Sequence, residues 1–583
     1  MKKTKIVCTM GPMTDKPEVI EQMITAGMNV ARFNFSHGTH AEQGSRMNLV
    51  RSAAQKAGIP IGLMLDTKGP EMRLGLFAGG KVDLIEGNSF VLTTRNVAGT
   101  AEVASVNFSR LHEEVKPGDR ILLSDGLIGL KVEAVVGDNI TTSVLNSGVI
   151  GDRKRVAVPG VAISLPPLSE QDIRDIQFGI DQNVDFIAAS FIQRAADVLA
   201  IRRIVEDAAA DIAIIAKIEN AAGVENIDEI LQVADGIMVA RGDLGVEIPA
   251  EDVPLIQKQL IKKANAAGKP VITATQMLES MIHNPRPTRA EASDIANAIF
   301  DGTDAIMLSG ETANGKYPVE AVQIMATIAL RTEAAVLLDY QTAVQGSFQV
   351  RSTTDAISHA TVQLAFELGV SAIVAATVSG QTARMVSKYR PAAVIVAQTH
   401  NIKTFHKLLL SWGVYPVLGQ EAFSGDDMVA AAVASALRSG IVKQGDLIVI
   451  TAGLPVSRSG TTNMIRVHTV GTVLAQGVGI GNKTVSGRVC VIRDRQDMQT
   501  KKIAGTILVL TSVDESIAAR AAEADAIVTE EGGLTSQAAI IGICKSIPVI
   551  VGSENAVALL TDGMTVTIDA EHGLIYEGIV QVR

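Results

Sequence analysis

Short apolar runs recur through the first half of the chain, separated by segments whose apolar residues have helical spacing. The runs begin near residues 5, 29, 61, 185, 213, 236, 270 and 305. Each run is followed by helix-like sequence or by a large insertion, which is typical of parallel strands joined by crossover helices. Eight such strands close a (β/α)₈ barrel, so we predict a barrel from residues 1–69 and 167–345.

The segment 70–166 has a different pattern. It contains short alternating stretches such as KVDLIE, SFVLTTR, DRILLSDG and KVEAVVGD, punctuated by Gly and Asp. This alternation predicts a small antiparallel β domain, a β-barrel lid inserted after the third strand of the larger barrel. Pro70 and the pair Pro166-Pro167 mark its predicted edges. An insertion at this point lies above the barrel mouth.

Two further domains are predicted after the barrel. A polar stretch, LDYQTAVQGSFQVRSTTDA, is typical of a connector, and residues 346–474 then alternate helical patterns with the strands AIVAAT, AAVIVAQ and DLIVITAG. The glycine-rich AQGVGIGN reads as a hinge before a last domain, 475–583, with its own strands and helices. The predicted fold class is therefore α/β throughout, apart from the β lid.

Composition restricts the functions that this architecture can carry. The 583 residues include 52 basic and 62 acidic ones, a net charge of −10, and only 3% are aromatic, so nucleic-acid binding is disfavoured. Cys8, Cys490 and Cys544 lie far apart without CxxC spacing, which argues against a disulfide framework or a zinc site. No apolar run reaches the roughly 18 residues of a membrane span, and the N-terminus lacks a signal-peptide pattern. We therefore expect a cytoplasmic protein that does not bind membranes.

Polar side chains gather where the predicted barrel strands end. Lys217 and Glu219 follow the run AIIA two positions apart, so their side chains project to the same side of the strand. Barrel ends often carry charges that only solvate or pair locally, but six strands end in this way, which favours a site at the face where such barrels bind substrates. The candidates at these ends are Arg32, Asn34, Ser36, Asp66, Thr67, Lys217, Glu219, Arg241, Asp243, Thr275, Ser309 and Glu311.

The residue types at these ends suit phosphate chemistry. Glu219 and Asp243, on consecutive strands, can hold a divalent cation such as Mg²⁺, which takes one or two carboxylates together with waters and substrate oxygens. A second group offers only oxygen ligands with one charge and suits a monovalent cation better than Zn²⁺: Asn34, Ser36, Asp66 and Thr67. Arg32, Arg73 and Lys217 supply positive charge. Phosphoryl transfer needs mainly positioning and charge neutralisation, and this group of residues provides both.

Longer motifs carry a resemblance to a known family. The strings TKIVCTMGP, GMNVARFNFSHG, LDTKGPEMR, AKIEN, MVARGDLGVEIP, ITATQMLESM, NPRPTRAEASDIANAIFDGTDAIMLSGETA and GKYPVEAV resemble pyruvate kinases. The resemblance implies transfer of the phosphoryl group of phosphoenolpyruvate to ADP, giving pyruvate and ATP in the last step of glycolysis. It also implies Mg²⁺ or Mn²⁺ and K⁺ as cofactors, a homotetramer, and allosteric activation by a phosphorylated metabolite.

The resemblance also assigns roles at the barrel mouth. Arg32 and Lys217 would contact the transferring phosphoryl group, and Thr275 would lie near the carbon that is protonated when the enolate becomes pyruvate. Substrate contacts are expected from Arg32, Lys217, Gly242, Asp243 and Thr275. Glu219 and Asp243 would bind the divalent metal. The expected K⁺ ligands are Asn34, Ser36, Asp66 and Thr67, and Glu71 stands where K⁺-dependent members have Glu.

The predicted nucleotide contacts are Asn34, His37, Arg73 and Lys154. Lys154 belongs to RKRVAVPG, which departs from the glycine-asparagine version more usual in the family. The loop of the α/β domain with Thr377, Ser379, Gly380, Gln381 and Thr382 corresponds to the family's effector loop. Taken alone, this loop favours an ordinary helix N-cap with a turn glycine over an anion site.

The last domain resembles a different module, the mobile phosphohistidine domain of phosphoenolpyruvate-utilising enzymes. The string EEGGLTSQAAI carries the resemblance, but Gln537 stands where the catalytic versions have histidine. An amide has no basic nitrogen able to accept a phosphoryl group. We therefore predict that this domain is not phosphorylated and acts in stability or regulation.

Two alternatives remain from the residues alone. A metal-dependent aldolase or lyase acting on pyruvate or its enolate would use the two carboxylates, but it has no need of a K⁺ site, a lid or Lys217. A catalytically inactive sensor of phosphorylated metabolites would need only the α/β domain, although the barrel motifs are present in full.

Overall fold

The computed structural model describes residues 1–161, 163–343, 352–455 and 461–580, with the side chains of residues 336–343 left aside. These residues form two compact units. The first contains Met1–Val350, Val378–Ala392 and Asn401–Pro416, and the second contains the remainder. The predicted boundary between residues 345 and 346, and the middle of the predicted connector, lie outside the described residues. The four predicted domain limits stay predictions.

Eight parallel strands close a barrel in the first unit, as the sequence pattern predicts. In chain order they are β1 Lys5–Thr9, β2 Val30–Asn34, β3 Gly62–Asp66, β4 Phe186–Ala189, β5 Ala213–Ile218, β6 Gly236–Ala240, β7 Val271–Ala274 and β8 Ala305–Leu308. Each pairs with the next, and β1 closes the ring on β8 through Lys5 opposite Ala305. All eight strands are buried on both faces apart from the last residue of β2, which is typical of parallel strands covered by helices.

Helices cover the outside of the barrel. Several begin at a capping box, in which the N-cap hydroxyl and an acidic side chain three residues on satisfy backbone N–H groups at the helix start, as Thr39 and Glu42 do. The helices of this layer are Pro17–Ala26, His40–Ala57, Glu170–Asp181, Ala195–Asp207, Ala221–Glu225, Ile227–Val233, Arg241–Glu247, Val253–Ala266, Arg289–Phe300, Gly310–Ala313 and Pro318–Ala343, with short 3₁₀ turns at Pro12–Thr14 and Glu279–Ile282.

The barrel interior is filled by apolar side chains from alternate strand positions, among them Val7, Met64 and Met307. Leu410 packs in the same cluster although it is far away in the sequence. It belongs to the segment Asn401–Pro416, with helix Ile402–Lys407 and turn Leu408–Leu410. The neighbouring Trp412 donates its backbone N–H to Asp304, just before β8, at 3.2 Å. This segment therefore closes the amino-terminal end of the barrel.

The inserted lid has its own apolar core. Its strands are Met72–Arg73, Lys81–Leu84, Ser89–Thr93, Val103–Ser105, Arg120–Leu123, Ile128–Val136, Asn139–Val144, Gly148–Gly151 and Arg155–Ala157, with helix Leu111–Glu114. They lie in a seven-stranded and a two-stranded sheet around that core rather than in one continuous ring. Pairing is antiparallel as expected, except that Ser89–Thr93 and Val103–Ser105 run parallel.

The second unit begins with an α/β layer. Its strands Val394–Thr399, Ala372–Ala376, Leu447–Ala452 and Met464–Thr469 lie in one sheet in this order, and only the last pair is antiparallel. Helices Thr353–Glu367 and Gly425–Arg438 belong to this layer. The helix Gln381–Ser387 and most of the strand Val414–Leu418 belong to the first unit.

The C-terminal segment forms a separate eight-stranded mixed sheet. Its strands are Val473–Gln476, Val478–Ile480, Thr484–Ile492, Ile507–Leu510, Ala526–Thr529, Val549–Val551, Thr565–Asp569 and Leu574–Glu577, with helices Arg495–Thr500, Ala518–Ala521, Gln537–Lys545 and Ala556–Leu559. The predicted limit at residues 474 and 475 falls inside the strand Val473–Gln476, which pairs with Leu574–Glu577.

Candidate active site

Lys217 and Glu219 meet at the carboxyl end of β5. The strand places both side chains on one side, and the Lys217 Nζ lies 3.0 Å from Oε1 of Glu219. Both residues are buried, and Oε2 of Glu219 accepts a hydrogen bond from the Phe191 backbone N–H at 2.6 Å. The oppositely charged pair seen in the sequence is therefore a contact pair at the barrel mouth.

Asp66 at the end of β3 joins Lys217 to Arg32. Its Oδ1 lies 3.1 Å from the Lys217 Nζ, and its Oδ2 lies 2.6 Å from the Arg32 Nε on the neighbouring strand β2. Burial by itself would raise the pKa of Asp66, but the two cations outweigh it and hold the pKa below its usual value. Burial likewise opposes the charge of Lys217, but Asp66 and Glu219 outweigh it and raise the pKa of Lys217. Both groups are charged near neutral pH.

The pKa of Glu219 is raised, whereas that of Asp66 is lowered. Burial raises its pKa to about 7, and the negative charge of Asp243 adds to this effect, while Lys217 opposes it. Glu219 and Asp243 therefore repel each other at the ends of adjacent strands. A cation placed near both carboxylates would remove this repulsion.

Gly242 and Thr275 lie together at the ends of β6 and β7. The backbone N–H of Gly242 donates to the Thr275 Oγ1 at 2.8 Å, and that hydroxyl donates to the Ala274 carbonyl at 2.6 Å. Thr275 has φ of +70° and Gln276 has φ of +55°, a left-handed conformation that is unfavourable for a β-branched residue. Strained backbone of this kind concentrates at functional sites, where the surrounding contacts hold it in place.

Arg241 holds the backbone that follows β7. Its guanidinium donates to the Thr275 carbonyl at 2.7 Å and pairs with Asp294 at 2.6 Å. The bond from Arg241 holds the backbone of Thr275 in place. The orientation of the Thr275 side chain therefore depends on Arg241 as well as on strand β7.

The lid reaches the barrel mouth through Arg155. Its guanidinium pairs with Oδ1 of Asp243 and stacks over the ring of Phe191, with Cζ 5.0 Å from the ring centroid. A cavity of about 400 Å³ lies under the lid, lined by Glu71, Arg155 and Phe191 among others. The inserted domain thus covers the carboxyl ends of the strands, where the sequence places it.

The carboxylates fit a divalent metal that takes few protein ligands. Within the described ranges, no group of three or more His, Cys, Asp or Glu side chains is arranged as a metal site. Glu219 and Asp243 provide two carboxylates that repel each other, which suits Mg²⁺ or Mn²⁺ because such ions complete their shell with waters and substrate oxygens. They would not form an all-protein zinc site.

The predicted K⁺ ligands lie at the ends of β2 and β3. Asn34 and Asp66 are paired in register, and the Asn34 Oδ1 accepts from the Ser36 backbone N–H at 3.0 Å. The Thr67 Oγ1 accepts from the Ser190 backbone N–H at 3.1 Å. These are neutral oxygens beside one carboxylate, the donor type that a monovalent cation prefers.

The predicted nucleotide residues are only partly brought together. Arg73 and Lys154 lie on the paired lid segments, where the Leu74 N–H donates to the Lys154 carbonyl at 2.9 Å. Arg73 also pairs with Glu71, its Nε 2.9 Å from the carboxylate. His37 is exposed at the turn after β2, and among the described residues its backbone N–H bonds to the Asn34 carbonyl at 3.3 Å rather than joining it to Arg73 or Lys154.

The remaining predicted residues lie outside the barrel. Thr377 follows the strand Ala372–Ala376, and Gly380 has φ of +81° as the N-cap of helix Gln381–Ser387. Glycine is favoured there because other residues are strained at this angle. Ser379 precedes this glycine, Gln381 and Thr382 begin the helix, and an effector site there stays a prediction. Gln537 is the first residue of helix Gln537–Lys545.

Three contacts at this site were not predicted from the sequence. The Lys217 Nζ donates to the Ser190 Oγ at 2.7 Å, and the Arg32 Nη1 donates to the Thr9 Oγ1 at 2.8 Å. Thr9 ends strand β1 and Ser190 directly follows strand β4, so a search for polar residues at the ends of the predicted strands could have found both. Nothing in the sequence around Arg155 indicates its contact with Asp243.

Comparison with known proteins gives matches along the chain. Three family descriptions match in order: "Pyruvate kinase, barrel domain" at residues 1–322, "Pyruvate kinase, alpha/beta domain" at 355–468 and "PEP-utilising enzyme, mobile domain" at 503–573. The chain is 53% identical to pyruvate kinases of Bacillus licheniformis and Geobacillus stearothermophilus, over 585 and 586 residues. It is 48% identical to a pyruvate kinase of Staphylococcus aureus over 586 residues. Each comparison covers the whole of both chains.

These matches do not favour the alternative of a metal-dependent aldolase or lyase. The resemblance expected for the C-terminal segment is confirmed by the third family description. In the parts of the chain that the structure describes, no helix combines the length and apolarity needed to cross a bilayer.

Proposed function

This chain belongs to the pyruvate kinase family, whose members transfer the phosphoryl group of phosphoenolpyruvate to ADP, and we propose that the residues at its barrel mouth perform this reaction. The observation that carries the proposal is the buried Arg32–Asp66–Lys217–Glu219 network. It holds two cations and two carboxylates in fixed positions on three strands of a closed barrel. The family generally needs a divalent metal and potassium.

We assign the phosphoryl group to the space beside Arg32 and Lys217. Both side chains are held by Asp66, so neither needs to reorganise when the phosphoryl group moves from the enolate oxygen, which keeps the bonding electron pair, to an oxygen of ADP. Lys217 stays charged because the neighbouring carboxylates raise its pKa. A buried cation of fixed position stabilises the transferring group more than a solvated one does.

Glu219 and Asp243 are proposed to hold Mg²⁺ or Mn²⁺, and Asn34, Ser36, Asp66 and Thr67 to hold K⁺. When bound, the divalent ion would supply positive charge to the oxygens of the substrate. The negative charge of Glu219 is disfavoured by burial and by Asp243 even with Lys217 beside it, so a further cation at this carboxylate would stabilise it. The nucleotide is assigned to the lid side of the mouth, with Arg73 and Lys154, and to His37.

Thr275 is proposed to direct protonation of the enolate. Its hydroxyl is held between the Gly242 N–H and the Ala274 carbonyl, so its orientation is fixed at the ends of two strands. A hydroxyl in this position can pass a proton from solvent to the enolate carbon without becoming charged.

The decisive experiment measures pyruvate formation from phosphoenolpyruvate in a coupled assay with and without ADP. A pyruvate kinase forms pyruvate only in the presence of ADP, and one ATP appears for each pyruvate. Pyruvate formation that is independent of ADP would contradict the proposal. We also propose a homotetramer activated by a phosphorylated metabolite, on the strength of the family alone. Light scattering, and rates with a panel of sugar phosphates and AMP, test these two points.

A further inference from the structure

Arg155 connects the lid to the barrel. It begins the lid strand Arg155–Ala157, where it is paired with Arg73, and its carbonyl accepts from the Ser124 backbone N–H at 3.0 Å. Its side chain crosses to the barrel mouth and pairs with Asp243. The Arg155 side chain is only 8% exposed, whereas the Asp243 side chain is 35% exposed, so water reaches the pair mainly at Asp243. A fixed lid strand is thereby tied to the end of β6.

The guanidinium stands next to both carboxylates that we assign to the divalent metal. It stacks on Phe191, whose backbone N–H donates to Oε2 of Glu219 at 2.6 Å. Asp243 and Glu219 are the two anions that act most strongly on Arg155, followed by Glu71 and Glu247. Arg155 is therefore a permanent cation at the place where a metal ion would be coordinated.

Arg155 and a divalent ion bound to Asp243 would repel each other, and together they would place more positive charge on one carboxylate than Arg32 and Lys217 place on Asp66. Arg155 cannot lose its proton in the accessible pH range, and it occupies Oδ1 of Asp243. A divalent ion that binds this carboxylate must either move the guanidinium away or bind beside an adjacent positive charge. Displacement also removes the contact that ties the lid strand to β6.

We propose that Arg155 is a positioning residue that holds the lid on the barrel through Asp243 and competes with the divalent metal for that carboxylate. This inference rests on the proposed function, because it takes Asp243 as a metal ligand. Binding of the metal to Asp243 would then displace Arg155 from Oδ1 and release the lid strand Arg155–Ala157 from the end of β6. The freed guanidinium remains at the mouth, available to the phosphate groups of the substrates.

The test is a titration with Mn²⁺ alone, in which free Mn²⁺ is followed by electron paramagnetic resonance on the full chain. Arg155→Ala should bind Mn²⁺ roughly tenfold more tightly than the natural sequence, the size expected for removal of one competing charge-assisted hydrogen bond. Arg155→Lys keeps the charge but has a shorter reach, so an intermediate affinity is expected. Arg110→Ala is the matched control, because Arg110 pairs with Glu113 inside the lid.

Asp243→Ala separates failure of this inference from failure of the proposed site. If Asp243→Ala binds Mn²⁺ as tightly as the natural sequence, the assignment of Asp243 to the metal is wrong. If Asp243→Ala loses affinity while Arg155→Ala and Arg155→Lys match the natural sequence, the metal site stands and the competition is overturned.

Hydrogen exchange provides a readout that does not depend on metal affinity. Without Mn²⁺, Arg155→Ala should exchange faster than the natural sequence in the lid segment 153–161, and Arg110→Ala should not. Addition of Mn²⁺ to the natural sequence should accelerate exchange in the same segment. Equal exchange in all three proteins, with and without Mn²⁺, would contradict a lid held by Arg155.

Discussion

The Nζ of Lys217 lies 3.0 Å from Oε1 of Glu219, and 3.1 Å from Oδ1 of Asp66 on the other side. One buried cation thus serves two buried carboxylates. Unpaired charges at this depth would be strongly destabilising, so the three groups depend on one another. Arg32, bound to the second oxygen of Asp66, brings a second cation into the same network.

Replacement of Lys217 should separate catalysis from metal binding. We expect Lys217→Ala to lower kcat by roughly 10²–10³-fold, because a fixed charge that faces the moving phosphoryl group is removed. Mn²⁺ binding should persist, since Glu219 and Asp243 remain and a nearby cation is gone. Steady-state rates and Mn²⁺ titrations check the two parts.

Lys262→Ala is the control for this experiment, because Lys262 is an exposed lysine on the helix Val253–Ala266. Lys262→Ala should leave kcat and the affinity for Mn²⁺ unchanged. Turnover of Lys217→Ala within about twofold of the natural sequence would contradict the assigned role of Lys217, since a fixed charge at the reacting group has a far larger effect.

Metal affinity should depend on pH through Glu219. Its pKa is raised to about 7 by burial and by Asp243, so in the absence of metal the carboxyl gains a proton as the pH falls through 7. Because a metal ligand must be ionised, Mn²⁺ affinity should fall as the pH is lowered from 7.5 to 6, by up to about tenfold per unit below the pKa. Titrations at several pH values measure this slope.

The raised pKa of Glu219 also makes the stability of the folded protein depend on pH. The raised pKa means that the folded protein binds this proton more tightly than the unfolded chain does. The corresponding contribution to stability is present below pH 4.5 and is lost as the pH rises through about 7, unless a cation compensates.

Glu219→Gln should weaken Mn²⁺ binding and remove most of the dependence of Mn²⁺ affinity on pH. An unchanged slope in this variant would show that another group titrates.

Potassium dependence should be traceable to Ser36. We expect initial rates to rise with K⁺, and Ser36→Ala to raise the half-saturating K⁺ concentration severalfold, because one neutral oxygen ligand is lost. Ser52→Ala, on the exposed face of helix His40–Ala57, serves as the control. Rates that are equal with K⁺ and with a large organic cation would rule out the monovalent site.

The C-terminal domain should not carry phosphate. Gln537 begins the helix Gln537–Lys545 behind the N-cap Ser536, and its amide offers no nucleophilic nitrogen. After incubation of the full chain with [³²P]phosphoenolpyruvate, acid-labile label should be absent from residues 477–583. His572, bonded to Asp569 through Nδ1 at 2.8 Å, is the histidine to examine if label is found there, and such label would refute the prediction.

Much of the barrel follows from local sequence. Strands buried on both faces read as continuous apolar runs, and their polar residues follow at fixed positions, so β1 to β8 and the ends that bear Arg32, Asp66 and Lys217 can be predicted. The i and i+2 relation of Lys217 and Glu219 is a property of a strand, and their contact follows directly from it.

Other features depend on contacts between residues distant in the chain. Arg155 and Asp243 are 88 positions apart, and no periodicity in either segment indicates that they pair. The closure of the barrel by Leu410 and the parallel pairing of Ser89–Thr93 with Val103–Ser105 are of the same kind. The sequence by itself determined the elements and the chemistry at their ends, because hydrophobic period and residue type act locally. Only the tertiary structure decided which charges neutralise one another, because that depends on how separate segments pack.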